Sequence, residues 1–133
     1  MSQIDNVLLI PRRLIKDERG WFLKAITGTE TKLPQYTGEV YLTMGKSGQK
    51  KGGHYHPLAN EWFTVIDGTA LLILEDVETK ERKAIELSLD SPQTVFVPNN
   101  VAHIFSSIGN SSFIVLAYSD LLYNPADTIT YNF

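Results

Sequence analysis

Short apolar blocks rich in Val, Ile, Phe and Tyr recur along the chain, separated by Gly, Pro, Asn and Asp. Their spacing of about ten residues is that of strands in an all-β fold. Residues 7–10 read as a first strand closed by Pro11. Pro cannot donate to a ladder, so this strand belongs at a sheet edge. Residues 12–15 continue it, Asp17 to Gly20 turn the chain, and residues 21–26 form the second strand. A polar loop over 27–35 precedes a strand at 38–44. Residues 61–66 and 69–74 flank Asp67-Gly68, a strong hairpin signal. The charged stretch 75–83 reads as a solvated loop, and 84–89 alternates strictly. Residues 94–97, 103–107 and 112–118 supply further strands. The pattern predicts one all-β domain over 1–133, a closed sandwich or barrel.

The candidate chemistry lies in the gaps of that pattern. The chain has three histidines. His54 and His56 are two apart, so on an extended strand they face one way. Pro57 to Asn60 reads as a turn that returns Glu61 to the same point. His103 follows a second turn, 97–102, and the two histidine segments are expected to face each other across a barrel. Imidazole and carboxylate together suit a divalent metal: zinc first, with iron, manganese or nickel as alternatives.

These residues resemble the two motifs of the cupin superfamily. The first, G-x5-H-x-H-x4-E-x6-G, is met from Gly48 to Gly68 at every fixed position. The second, G-x5-P-x-G-x2-H-x3-N, is met at Pro98 and His103, with Pro92, Asn100 and Ser107 in the other places. Asn tolerates a left-handed backbone, so Asn100 keeps the turn. The resemblance implies a double-stranded β-helix jelly roll whose metal ligands are His54, His56, Glu61 and His103. The Asp-x-Arg-Gly hairpin turn and the Tyr123-Asn-Pro125 tail resemble the branch acting on sugar nucleotides: 3,5-epimerases, 3,4-ketoisomerases and capsule-synthesis cupin domains. That implies Arg19 at the nucleotide pyrophosphate and Lys51 at a phosphate or carbonyl of the substrate. It also implies Tyr123 as catalytic acid and His54 as base, although His54 cannot be ligand and base at once. Tyr41 is a further catalytic candidate and Tyr55 a substrate contact. Trp21 or Phe22 is expected at a dimer interface or a base-stacking pocket.

The expected function is an epimerase or ketoisomerase of a nucleotide-linked 4-keto-6-deoxy sugar, working through an enediolate in cell-surface polysaccharide biosynthesis. A metal-dependent dioxygenase and a non-catalytic sugar-binding module are the alternatives. Homodimers through N-terminal strand exchange are expected from the resemblance. A formal charge of −3 with no basic stripe argues against nucleic acid. No apolar run spans a bilayer and no signal peptide is evident, so a cytoplasmic protein without membrane contact is expected. The absence of cysteine removes thiolate ligands and disulfides.

Overall fold

The computed structural model describes residues 2–18, 20–34 and 38–133, without the side chains of Gly20 and Trp21. Its strands are β1 (Leu8–Pro11), β2 (Leu14–Asp17), β3 (Gly20–Leu23), β4 (Glu39–Gly45), β5 (Lys50–Tyr55), β6 (Glu61–Asp67), β7 (Thr69–Asp76), β8 (Arg82–Ser88), β9 (Gln93–Val97), β10 (Val101–Ser107), β11 (Phe113–Ser119) and β12 (Ile129–Thr130). Two five-stranded sheets, β1-β9-β6-β11-β4 and β12-β5-β10-β7-β8, make the expected all-β jelly roll. Pro11 ends the edge strand, as its missing donor requires. β2 and β3 form a separate hairpin. Among the described residues no helix is long and apolar enough to cross a membrane.

Strand alternation fills the interior. Phe63 and Val65 of β6, Leu72 and Leu74 of β7, Val95 of β9, Phe105 of β10, and Phe113 and Val115 of β11 are all buried in one core cluster. Phe105 stacks between Phe63 and Phe113, with centroids 5.2 and 6.3 Å away. Each such side chain contributes about 1.5–3 kcal/mol by leaving water. The core runs up to the site, where the Phe63 ring stands 5.1 Å from that of His103.

Some boundaries differ from expectation. β3 stops at Leu23, because the next residues are tied to the outer face of the first sheet. Thr94 Oγ1 donates to the Ala25 carbonyl at 2.9 Å and accepts from Arg12 Nε at 3.0 Å, and Arg12 pairs with Glu30 at 2.5 Å. The charged loop 75–83 is shorter than expected. Glu75 pairs with Arg82 across β7 and β8 and binds its guanidinium at 2.8 Å, which extends the ladder. Asn100 does adopt the left-handed conformation, at φ 63°. β12 was not foreseen, since two residues carry no periodicity.

Candidate active site

The two histidine segments lie side by side in one sheet, not on opposite walls: His103 of β10 pairs directly with His54 of β5. Glu61 arrives from the facing sheet, on β6, after the turn at 57–60. Residues 57–60 turn because their polar groups are held from outside. Asn60 binds Asp120 through its backbone N–H and its amide, both at 2.9 Å, and accepts from the Asn99 N–H at 2.8 Å.

The two glycines before His54 form a bulge. Ile104 pairs with Gly52 and His103 with His54, so Gly53 has no partner on β10. Both glycines have positive φ, 104° and 83°. Lys51 pairs with Phe105, which faces the interior, and His54 pairs with His103, which faces it too. Residues three apart on a regular strand face opposite ways. By register the inserted residue puts Lys51 and His54 at positions on the same face of the sheet, with Lys51 exposed and His54 half-buried.

The three imidazoles gather tightly, with a nitrogen of each within 4.8 Å of the others. His56 Nε2 stands 2.9 Å from Glu61 Oε1, and His103 Nε2 stands 3.6 Å from the same oxygen. Apart from this contact, neither His56 Nε2 nor Glu61 Oε1 has a hydrogen-bond partner among the described residues. Tyr41 donates to the other Glu61 oxygen at 2.7 Å. His56 Nδ1 donates to the Asp127 carbonyl at 2.8 Å. Unspent lone pairs on buried donors directed at one region are the arrangement a divalent metal satisfies. Zinc ligands sit about 3.4 Å apart, so the nitrogens need to close by about 1 Å to grip it.

Each group is tuned differently. Burial lowers His54, aided by neighbouring His56 and opposed by Glu61, so its ring is neutral near neutral pH. Burial also works to lower His56, but contact with the Glu61 carboxylate and the Asp127 carbonyl more than offsets it and raises that group. Complete burial pushes His103 down to about 4. Burial works to raise Glu61, yet His56, His103 and Tyr41 hold it below the usual carboxylate range. Burial and the Glu61 charge push the Tyr41 hydroxyl up. Tyr41 is thus a weak acid serving as a donor to Glu61.

A cavity of 270 Å³ opens onto this cluster, and His54, His56, Glu61, Tyr41 and Tyr123 all line it, with Glu39, Leu122 and Asp127. Tyr123 is 66% exposed at the mouth. Among the described residues no lysine or arginine lines the cavity. Lys51 is exposed and does not line the cavity. Tyr55 is turned away, with its ring against Tyr131, so it does not meet the cavity. Arg19 lies outside the described residues, as does the Trp21 side chain; Phe22 is 55% exposed. The residue that sequence reasoning missed is Asp127. Its signal was local: Asn124 and Pro125 cap and start a 3-10 turn, Pro125–Asp127.

The family model for the polysaccharide biosynthesis C-terminal domain matches residues 15–131. The chain belongs to that family. Among curated proteins it is similar to the spore coat polysaccharide biosynthesis protein SpsL of Bacillus subtilis (strain 168). The identity is 27% over 129 residues, covering 92% of this chain and 83% of that one. Among solved structures it superposes on a dTDP sugar isomerase from Desulfovibrio desulfuricans G20. The TM-score is 0.89 at 20% identity, over 99% of this chain and 87% of that one. It also superposes on the dTDP-6-deoxy-D-glucose-3,5-epimerase RmlC from Legionella pneumophila Philadelphia 1, solved with dTDP-4-keto-L-rhamnose. There the TM-score is 0.81 at 17% identity, over 97% and 74% of the two chains. These superpositions show that this family member shares the jelly-roll fold of those structures.

Proposed function

We propose that this chain is an isomerase that enolises a nucleotide-linked 4-keto-6-deoxy sugar, in polysaccharide biosynthesis. The observation that carries the reading is His54. It is a neutral imidazole whose ring is held by no hydrogen bond among the described residues, and it lines a cavity sized for one sugar ring. Ligand pockets start near about 300 Å³, so the nucleotide must lie outside, over the rim. Lys51, exposed on β5 three residues before His54, is the cation assigned to its phosphates, and the family resemblance adds Arg19 to that role. The family membership and the isomerase and epimerase activities of the structural relatives support this reading.

In this scheme His54 takes the proton from the carbon beside the ketone. Return of a proton to that carbon from the other face inverts it; return to the former carbonyl carbon moves the ketone. Tyr123, at the mouth, is assigned as the acid. The ligand set is then His56, Glu61 and His103, which hold a divalent metal, zinc first. His54 drops out of that set because its ring is the one given to the substrate. A bound metal supplies Lewis-acid stabilisation of the oxygen charge that develops on enolisation. The orphaned His56 and Glu61 atoms favour this assignment.

The test is elemental analysis of the purified chain, then incubation with UDP- or dTDP-4-keto-6-deoxy sugars in deuterated water. Deuterium beside the ketone is the expected result. Oxygen consumption with bound iron, or sugar binding with no exchange, would replace the isomerase by a dioxygenase or a binding module.

The enzyme is further proposed to be a homodimer. On the outward face of edge strand β4, Val40, Leu42 and Met44 are 60, 64 and 49% exposed. Among the described residues the β2–β3 hairpin pairs with no other sheet, and isolated hairpins are marginal in water. A second copy that covers β4 and receives the hairpin satisfies both. Light scattering should give twice the 15.0 kDa chain mass. Leu42→Glu should halve the measured mass, and a wild-type monomer would refute the pairing.

A further inference from the structure

Asp127 is buried, at 7% exposed, and it is not one of the metal-binding donors. Three bonds converge on it. Its carboxylate accepts from the N–H groups of Leu58 and Ala59 at 2.8 and 3.1 Å. Its carbonyl accepts from His56 Nδ1 at 2.8 Å. It ends a 3-10 turn whose cap, Asn124, accepts from the Ala126 N–H at 3.0 Å. Beyond it β12 pairs Ile129 with Tyr55 and Thr130 with His54, and the Tyr131 N–H donates to Gly53 at 2.9 Å. The Tyr131 hydroxyl then binds Glu75. Residues 124–131 thus form a strap along the histidine strand, fastened at both ends.

We infer that Asp127 is a positioning residue: by clamping the 57–60 turn to the strap, it holds its own carbonyl on His56 Nδ1 and so keeps His56 Nε2 directed into the site. A carbonyl oxygen only accepts, so Nδ1 carries a proton whether the ring is neutral or charged. Nε2 is left for Glu61 or a metal. Loss of the carboxylate strands two N–H groups, both on the turn that follows His56, and frees the carbonyl to move. The Thr128 hydroxyl, 3.5 Å from His56 Nδ1, is too distant to replace it. Outer contacts of this kind are worth about 10–100-fold in metal affinity. The inference rests on the reading of His56 as a metal ligand, but one of its two readouts does not.

The experiment uses the full chain with Asp127→Ala, Asp127→Asn and Tyr131→Phe. The first readout is the long-range proton–nitrogen spectrum of the imidazoles without metal, with three histidines to assign. The second is the affinity for zinc alone, by competition with a chromogenic chelator. The wild type should show a slowly exchanging Nδ1–H on His56. In Asp127→Ala that signal should be lost to exchange and zinc should bind about 10–100-fold more weakly. Asp127→Asn, which keeps one acceptor, should fall between the two. Tyr131→Phe releases the far end of the strap and should lower the melting temperature while leaving both readouts as in wild type. A folded Asp127→Ala with the protected proton and wild-type zinc affinity overturns the inference. If that variant does not fold, Asp127→Asn with both readouts unchanged overturns it. A wild type that binds no zinc refutes the metal reading instead, and the imidazole proton alone then decides the role of Asp127.

Discussion

Replacing His54 with Gln should cut deuterium exchange beside the ketone by about 100- to 10,000-fold, the usual worth of a positioned general base. Gln keeps a similar size and polarity but has no basic nitrogen. No hydrogen bond of the fold is lost, because none holds the His54 ring among the described residues; it meets His56 and His103 edge-on, with centroids 5.1 and 4.8 Å away. Thermal stability should therefore stay within about 1 kcal/mol of wild type. Zinc content should also survive, since His56, Glu61 and His103 remain. Loss of zinc together with exchange would return His54 to the ligand set and move the base elsewhere. Full exchange in His54→Gln would remove it from the chemistry.

The second large effect belongs to Gly52. Substitution by Ala should destabilise the domain by about 2–4 kcal/mol, adding backbone strain to a clash. At φ +104° an L side chain is strained, and its Cβ would stand 2.8 Å from the His103 carbonyl oxygen and 3.2 Å from Ile104 Cα. Both are backbone atoms, so β5 and β10 must separate, and with them His54 from His103. A melting temperature lower by about 10 °C and a zinc affinity at least tenfold weaker are expected. Gly53→Ala is the control. Its φ is +83°, but the nearest atom to an added Cβ is 3.7 Å away, so strain acts without the clash. Equal losses in the two variants would show that contact with β10 is not what the bulge protects.

This bulge shows where sequence reasoning reached its limit. The convergence of His54, His56 and Glu61 was legible because H-x-H on a strand and a glutamate after a turn are local facts, set by strand period and turn chemistry. The all-β class was legible for the same reason: alternation in 84–89 and the Asp67-Gly68 hairpin need no distant partner. That His54 and His103 are neighbours in one sheet was not legible. Strand order is decided by which apolar faces close over the core, and Phe105 fits between Phe63 and Phe113 only with β10 beside β5 and β7.

The divergent tuning of the three imidazoles is likewise tertiary. The same side chain is lowered to about 4 at His103 by burial and raised at His56 by Glu61 and a carbonyl more than seventy positions away in sequence. Tyr55 and Tyr41 looked alike in the sequence, yet alternation and the β12 pairing send one to Tyr131 and the other to Glu61. By itself the sequence determined most of the strands, the turns and the candidate donors, because those follow from the preferences of adjacent residues. Only the tertiary structure decided which imidazole makes no hydrogen bond among the described residues, which is held by Asp127, and that the C-terminal strap lies against the cavity. Those outcomes depend on desolvation and on hydrogen bonds between residues that the chain brings together only when the two sheets close.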